Sequence, residues 1–396
     1  MNAKTGKMIF QRAPHKRMYP ASTTKIALLD YVLSTPNLDL DQKIVVPQEA
    51  VRIVSGYEKS RENFSKYAAY VLEHEGTSAG LRNGEIILLR DALYGAMLVS
   101  GNDASNVLAY YWGNGSIEAG VEKVNRFVES LGCQNTRFQN PHGLPHPDHV
   151  STAYDLATIA RHALKNQSFR QIVASKTYTK GKTNKQAEVV FRQSNKLLVP
   201  GPFFCEQATG IKTGHHMRAG HCLVASGEDG DRSLIVVLLH CTDRKKMFLT
   251  AKHMLTRFLS EQKKKSIVIE KGPILLQKEI DGQATPLSLE TPRECAVLYY
   301  PSEEPSIRAV AEWKDLSFPI KEGEEIGVLR VFVDDQEYDA VPLLASEHRE
   351  ASWQQRILHA QRLLKEHRGK VFTVLAAVVA LVITLIMKRK ARTYRR

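Results

Sequence analysis

Cysteine is scarce and scattered: Cys133, Cys205, Cys222, Cys241 and Cys295 are the only five in 396 residues, and no two form a C-x-x-C pair. An odd number without paired spacing argues against a disulfide framework and a thiolate zinc site, and reads as isolated core thiols. No H-E-x-x-H run occurs. The groups His142, His146, His149 and His215, His216, His221 match no metal spacing, and Pro145 and Pro147 break any helix that would align the first group. Structural or surface roles are therefore expected for these histidines, with no metal and no cofactor. Internal repeats, low-complexity tracts and nucleic-acid motifs are also missing. Residues 1–4 lead straight into apparent fold without an apolar leader region, so the natural start is expected upstream.

Long hydrophobic runs are missing as well, with one exception. Residues 371–387, VFTVLAAVVALVITLIM, carry no charge and lie between Lys370 and Lys388. Seventeen apolar residues are within the range that spans a bilayer when flanking Lys and Arg snorkel. Nothing amphipathic relieves the run, so a transmembrane helix is predicted at 371–387, followed by a basic tail at 388–396. The net charge of +13 is thereby assigned to a membrane surface rather than to nucleic acid. The tail is the more densely basic flank, which predicts a cytoplasmic C-terminus and an extracytoplasmic N-terminal bulk. Between them, 348–370 reads as an amphipathic basic helix or stalk, with Trp353, Ile357, Leu358, Leu363 and Leu364 as its apolar points.

Upstream, two grammars divide the chain. Residues 1–262 alternate strand-like and helical stretches: a hairpin strand at 7–10, a helix after Ser22, a helical segment within 57–75, helices at 91–98, 104–112, 117–131 and 153–164, strands at 188–191, 221–226 and 234–239, and a helix at 246–259. Strand, helices, then strands predicts a sheet built from both ends of the domain with a helical lobe inserted. A basic linker at 261–265 leads into 263–347, where short alternating strands with turns such as Asp281-Gly282 and Asp334-Asp335 predict a small β-sandwich. The expected fold class is thus α+β, followed by an all-β domain and a membrane helix.

Three short motifs stand in order within the first domain: Ser22-x-x-Lys25, Ser100-Gly101-Asn102 and Lys212-Thr213-Gly214. A spacing of three at a helix start puts Ser22 and Lys25 on one face, where a lysine with a lowered pKa can activate a serine hydroxyl. Each motif alone is common. A cap at Ser22, a turn at Ser100 and a solvated lysine at Lys212 are the ordinary readings, and the ordered trio is what sets this sequence apart.

The trio resembles the Ser-x-x-Lys, Ser-Asp-Asn and Lys-Thr-Gly signature of penicillin-binding proteins and class A β-lactamases. The stretches YPASTTKIALL, EGTSAGLRNGEIILLRDALYGAMLVSGNDASNVLA, FQNPHGLPHPDHVSTAYDLA and TGIKTGHHMRAGHCLVAS resemble the low-molecular-mass penicillin-binding proteins, which are serine-type D-alanyl-D-alanine carboxypeptidases. PIKEGEEIGVLRVFVDDQEYDAVPLLA resembles that family's C-terminal β-domain, so the likeness covers about residues 3–345. It implies a transpeptidase-like catalytic domain, a Ser22 nucleophile, a Lys25 general base, Ser100 as proton carrier to the leaving amine, and Asn102 holding Lys25 and a substrate amide. It further implies that Lys212 supplies positive potential, Thr213 binds the terminal carboxylate and Gly214 admits substrate backbone. The N–H groups of Ser22 and His215 would form the oxyanion hole. Peptidoglycan stem peptides ending in D-Ala-D-Ala and β-lactam antibiotics are the implied partners, and the bacterial inner membrane, facing the periplasm, the implied location.

Alternatives remain at this stage. A D,D-endopeptidase would use the same residues. A β-lactamase needs a deacylating glutamate, but no E-x-x-L-N-like stretch lies near 141–155. A non-catalytic, membrane-tethered peptidoglycan scaffold would not need all three motifs. The sequence also departs from the family pattern. His216 stands where threonine is usual, Met247 falls where the family carries an arginine thought to help hold the substrate carboxylate, and 57–72 looks inserted. Arg218, Arg244, Lys245 and Lys246 are the cations available to compensate.

Overall fold

The computed structural model describes residues 1–61, 66–281 and 283–366. The chain divides into two compact units, Met1–Gln262 and Lys263–Arg396.

The first unit is organised on helix α1 (Lys25–Leu33). Ile26, Ala27, Leu28, Leu29, Val32 and Leu33 are all buried. A helix apolar on every side must sit inside the molecule. Each such aliphatic side chain contributes about 1.5–3 kcal/mol of burial. Around it stand α3 (Leu89–Leu98), α4 (Asn102–Trp112), α5 (Ile117–Ser130), α6 (Ala153–Ala163) and α7 (Gln167–Ala174), after the short α2 (Gly56–Arg61). Ser116, Thr152 and Asn166 cap α5, α6 and α7 by accepting a backbone N–H with the side chain.

Small strand pairs frame this lobe. β1 (Lys43–Val45) pairs with β4 (Ile86–Leu88), β2 (Ile53–Val54) runs parallel to β3 (Leu72–Glu73), and β5 (Thr177–Lys180) pairs with β6 (Val189–Arg192). The main sheet is antiparallel, in the order β7 (Ala208–His216), β8 (Gly220–Asp229), β9 (Arg232–Cys241). Alternation along β8 sends Val224 into the helical core, whereas Leu223 and Ala225 face helix α8 (Arg244–Leu259) with its Met247, Phe248, Ala251 and Leu255. One edge of β7 is left unpaired among the described strands.

Two expectations need correction. Residues 7–10 form no strand, and the N-terminus adds only an isolated bridge between Asn2 and Leu234. The Asn2 side chain accepts the Lys4 and Thr5 N–H groups, and Gly6 takes a φ of 80°, so the chain turns away from the sheet. The main sheet is therefore built from the C-terminal part of the unit. In the segment 57–75 the described helix covers Gly56–Arg61, and the described residues 66–75 are not helical but return as β3 beside β2.

The second unit contains two sheets: β10 (Lys264–Ile269) with β13 (Cys295–Tyr299), and five strands in the order β11 (Gly272–Lys278), β12 (Leu287–Thr291), β16 (Gln336–Ala345), β15 (Glu325–Val333), β14 (Ile307–Trp313). Inward positions such as Leu287, Leu289, Ile326 and Leu343 form its core. Helix α9 (Trp353–Glu366) follows, with Trp353 69% and Ile357 49% exposed. The predicted span at 371–387 and the tail at 388–396 lie outside the described residues; among those described, no helix is long and apolar enough to cross a membrane.

Candidate active site

Pro20 opens the site. Residues 21–24 form a tight 3-10 turn that runs into α1, with Thr23 Oγ1 donating to Pro20 O (2.7 Å) and Thr24 Oγ1 to Ala21 O (2.9 Å). Ala21 has a φ of 48°, a left-handed conformation unusual for a side-chain-bearing residue. His149 holds this turn from below. Its Nδ1 accepts the Gln139 N–H (3.0 Å), so its Nε2 carries the hydrogen and meets Thr24 Oγ1 at 2.8 Å. Burial pushes the His149 imidazole down to about 3, and it stays neutral.

Lys25 is fully buried, and its Nζ has four oxygen neighbours: Ser22 Oγ at 2.8 Å, His142 O at 2.8 Å, Asn102 Oδ1 at 2.9 Å and Ser100 Oγ at 3.4 Å. Burial lowers its pKa well below the ordinary lysine range, and the Lys212 charge lowers it further, against an opposing pull from Asp103. A neutral amine has two N–H bonds and one lone pair. Asn102 Oδ1 and the His142 carbonyl can only accept, so they take both N–H bonds and leave the lone pair to the Ser22 hydroxyl. That is the arrangement of a base beside its nucleophile.

Ser100 and Asn102 stand at the turn between α3 and α4. Ser100 has a φ of 61°. Buried Asp103 secures the turn by accepting from Ala79 N (2.8 Å), Leu81 N (2.9 Å) and Ser78 Oγ (2.6 Å), while Thr77 Oγ1 donates to Ser100 O (2.6 Å). Strained backbone held this firmly fixes where the Ser100 hydroxyl points.

Strand β7 supplies the facing wall. Lys212 is buried, its Nζ donates to Thr213 O (3.0 Å), and burial lowers its pKa to about 7. Gly214 passes so close to the nucleophile's turn that a Cβ there would lie 3.0 Å from Ser22 N. No side chain fits between the strand and that amide, so the next residue, exposed His215, comes to the open edge beside it. Gly143, with a φ of 91°, closes the other side, where a Cβ would lie 2.0 Å from Ala21 O.

These pieces enclose a cleft of about 490 Å³ lined by Ser22, Ser100, Asn102, Thr213, Gly214 and His215 from the predicted set. Lys25 and Lys212 lie just beneath it. Sequence reasoning missed His142, whose backbone carbonyl, not its imidazole, touches Lys25, and Asp103, which fixes the Ser100 turn. A carbonyl contact leaves no mark on residue type, whereas the acid following Ser100-Gly101-Asn102 was a readable signal. Of the four compensating cations considered, Arg244 lines the cleft, one helical turn before Met247, which lines it too.

The sequence matches the family model described as D-alanyl-D-alanine carboxypeptidase over residues 1–243, and residues 263–351 match that of the penicillin-binding protein 5 C-terminal domain. The chain belongs to the D-alanyl-D-alanine carboxypeptidase family. Its relatives include D-alanyl-D-alanine carboxypeptidase DacF of Bacillus subtilis, 28% identical over 346 residues (87% of this chain and 82% of that protein). DacD of Escherichia coli is 27% identical over 352 residues, covering 88% and 84% of the two chains. Among solved structures, a Streptomyces DD-transpeptidase superposes with a TM-score of 0.52 at 30% identity, over 65% of this chain and 92% of that one. DacD of Francisella tularensis shares the fold over 89% of this chain and 92% of its own, with a TM-score of 0.60 at 23% identity. As a serine D-alanyl-D-alanine carboxypeptidase, this chain acts on a substrate whose leaving residue bears a free carboxylate, and the side chains of Arg244, His216 and His221 are among those lining the cleft.

Proposed function

We propose that this enzyme removes the terminal D-alanine from peptidoglycan pentapeptides through an acyl-enzyme on Ser22. The observation that carries this reading is the Lys25 environment: a buried amine, its pKa lowered well below the ordinary lysine range, with Ser22 Oγ at 2.8 Å and the acceptors Asn102 Oδ1 and His142 O beside it. Lys25 takes the Ser22 proton as Oγ attacks the carbonyl of the penultimate D-alanine. Negative charge gathers on the carbonyl oxygen, where the N–H groups of Ser22 and His215 stabilise it. Ser100 relays the proton to the departing D-alanine amine, which leaves neutral. Water, activated by Lys25, then hydrolyses the ester and returns the proton to Ser22. Thr213 and Arg244 hold the terminal carboxylate, and Asn102 holds the substrate amide. A β-lactam enters the same path, with its ring amide in place of the scissile bond.

Membrane attachment belongs to this reading. The apolar run 371–387 supplies the span, and the partly exposed Trp353 and Ile357 on basic α9 suit a helix lying on anionic headgroups. The catalytic unit then works on the periplasmic side of the bacterial inner membrane, against the cell wall.

Intact mass over time tests the chemistry, using the full-length chain in detergent with benzylpenicillin and Ser22→Ala as control. A covalent adduct that requires Ser22, together with D-alanine release from a pentapeptide, is expected. A folded wild type that forms no adduct overturns the reading and favours a tethered scaffold.

A further inference from the structure

Lys59 lies in the segment that departs from the family spacing, and no step above uses it. Its side chain is fully buried, an uncommon state for a lysine and one that requires partners. Its Nζ donates to the carbonyls of Ala69 (3.0 Å) and Val71 (2.8 Å) and lies 3.5 Å from the Glu73 carboxylate. The two carbonyls flank Tyr70. The Tyr70 carbonyl in turn accepts from His142 Nε2 (3.0 Å) and from Asn106 Nδ2 (3.0 Å) on α4. His142 Nδ1 accepts the Leu144 N–H (3.2 Å), which fixes the hydrogen on Nε2 and the ring between the two segments. Burial and the neighbouring Lys25 and Lys59 keep that imidazole neutral. The backbone carbonyl of the same His142 is one of the two acceptors that orient the Lys25 amine.

We propose that Lys59 is a positioning residue for acylation: by gripping the carbonyls on either side of Tyr70 it fixes the acceptor that holds His142, and His142 presents the carbonyl that aims Lys25 at Ser22. The proposal rests on the roles given above to Ser22 and Lys25. Without the Lys59 clamp, the 69–71 backbone loses two donors, the His142 ring loses a fixed partner, and the amine is freer to turn its lone pair from Ser22. Glu73 also lines the cleft, so a purely structural Lys59 would alter ligand binding instead.

Stopped-flow acylation by a fluorescent penicillin, across concentrations, separates the binding constant K from the acylation rate constant k2. The full-length chain, Lys59→Met and Lys59→Gln are compared well below their melting temperatures. The expected result is a fall in k2 of about tenfold or more with K within about twofold, since small misplacement of a reacting group is costly in rate. Unchanged k2, or a change confined to K, overturns the proposal. If Lys59→Met does not fold, Lys59→Gln decides on the same criteria. A wild type that forms no Ser22 adduct overturns the functional reading itself, whereas a wild type that acylates beside equally fast variants overturns this inference alone.

Discussion

The Nζ of Lys25 lies 2.8 Å from the Oγ of Ser22, across the junction where a 3-10 turn becomes the most buried helix of the catalytic unit. Ser22 and Lys25 are thus fixed by the same apolar packing that holds the unit together, and the burial that packing imposes lowers the Lys25 pKa.

Replacing Lys25 by Met removes the base while leaving an apolar stem of similar length beside the oxygens of Ser22, Asn102 and His142. Acylation by benzylpenicillin is expected to slow about 10²–10⁴-fold. The melting temperature should fall, because Asn102 Oδ1 and the His142 carbonyl lose their buried donor. Rapid-mixing acylation and thermal melts of the same preparations check both outcomes.

Acylation should fade as pH falls, because protonation consumes the Lys25 lone pair. Lys212 lowers the Lys25 pKa through its charge, so Lys212→Gln should move the acid limb of the acylation profile to higher pH. A limb that stays in place would show that burial alone sets the base.

Stability should also fall in acid through His149. Its folded pKa, about 3, lies below its unfolded value, so the folded state excludes a proton that the unfolded chain binds. The contribution is complete above about pH 6.5 and declines by about 1.4 kcal/mol per pH unit between there and pH 3. Stability in urea melts from pH 7 to 4 should fall at least this steeply, because buried His142 is held neutral in the same way, and His149→Gln should reduce the slope while lowering stability at pH 7 through the disturbed contact with Thr24.

Arg244→Leu should raise the KM for D-Ala-D-Ala peptides and reduce kcat/KM by about 10–100-fold, the value of one charge-assisted hydrogen bond to a carboxylate. Peptides amidated at the C-terminus provide the control: they should lose little further activity in the variant. Equal losses on both substrates would argue against the assignment.

Lys180 and Glu85 form an ion pair with neither side chain exposed, and Glu85 also accepts from Thr183 and Gln186. Lys180→Met should cost about 3–5 kcal/mol by stranding the carboxylate. Adding Glu85→Gln should recover part of that loss. Denaturant unfolding of the single and double variants measures both steps.

The division of the chain and the chemistry of its cleft were legible in the sequence for physical reasons. Apolar runs mark what must be buried, so α1, α3 to α6 and α8 followed from pattern while α7 did not, and the change to short alternating strands marked the second unit. Ser22, Lys25, Ser100, Asn102 and Lys212-Thr213-Gly214 stood out in the sequence as an ordered trio of motifs, and the fold brings them together in and beneath one cleft. Helix geometry alone relates Ser22 to Lys25, since three residues span one turn.

Tertiary structure decided what depends on backbone atoms and on distant segments. Residues 7–10 carry the short apolar run Met8-Ile9-Phe10 that suits a strand, yet local side-chain bonds from Asn2 turn the chain before it can pair. The His142 carbonyl, 117 residues from Lys25, carries no sequence signal because every residue has a carbonyl. Arg244 rather than Arg218, Lys245 or Lys246 reaches the cleft because of where α8 begins on the sheet. The depressed basicity of Lys25 likewise comes from packing: residue type supplies an amine, and burial beside Lys212 lowers its pKa.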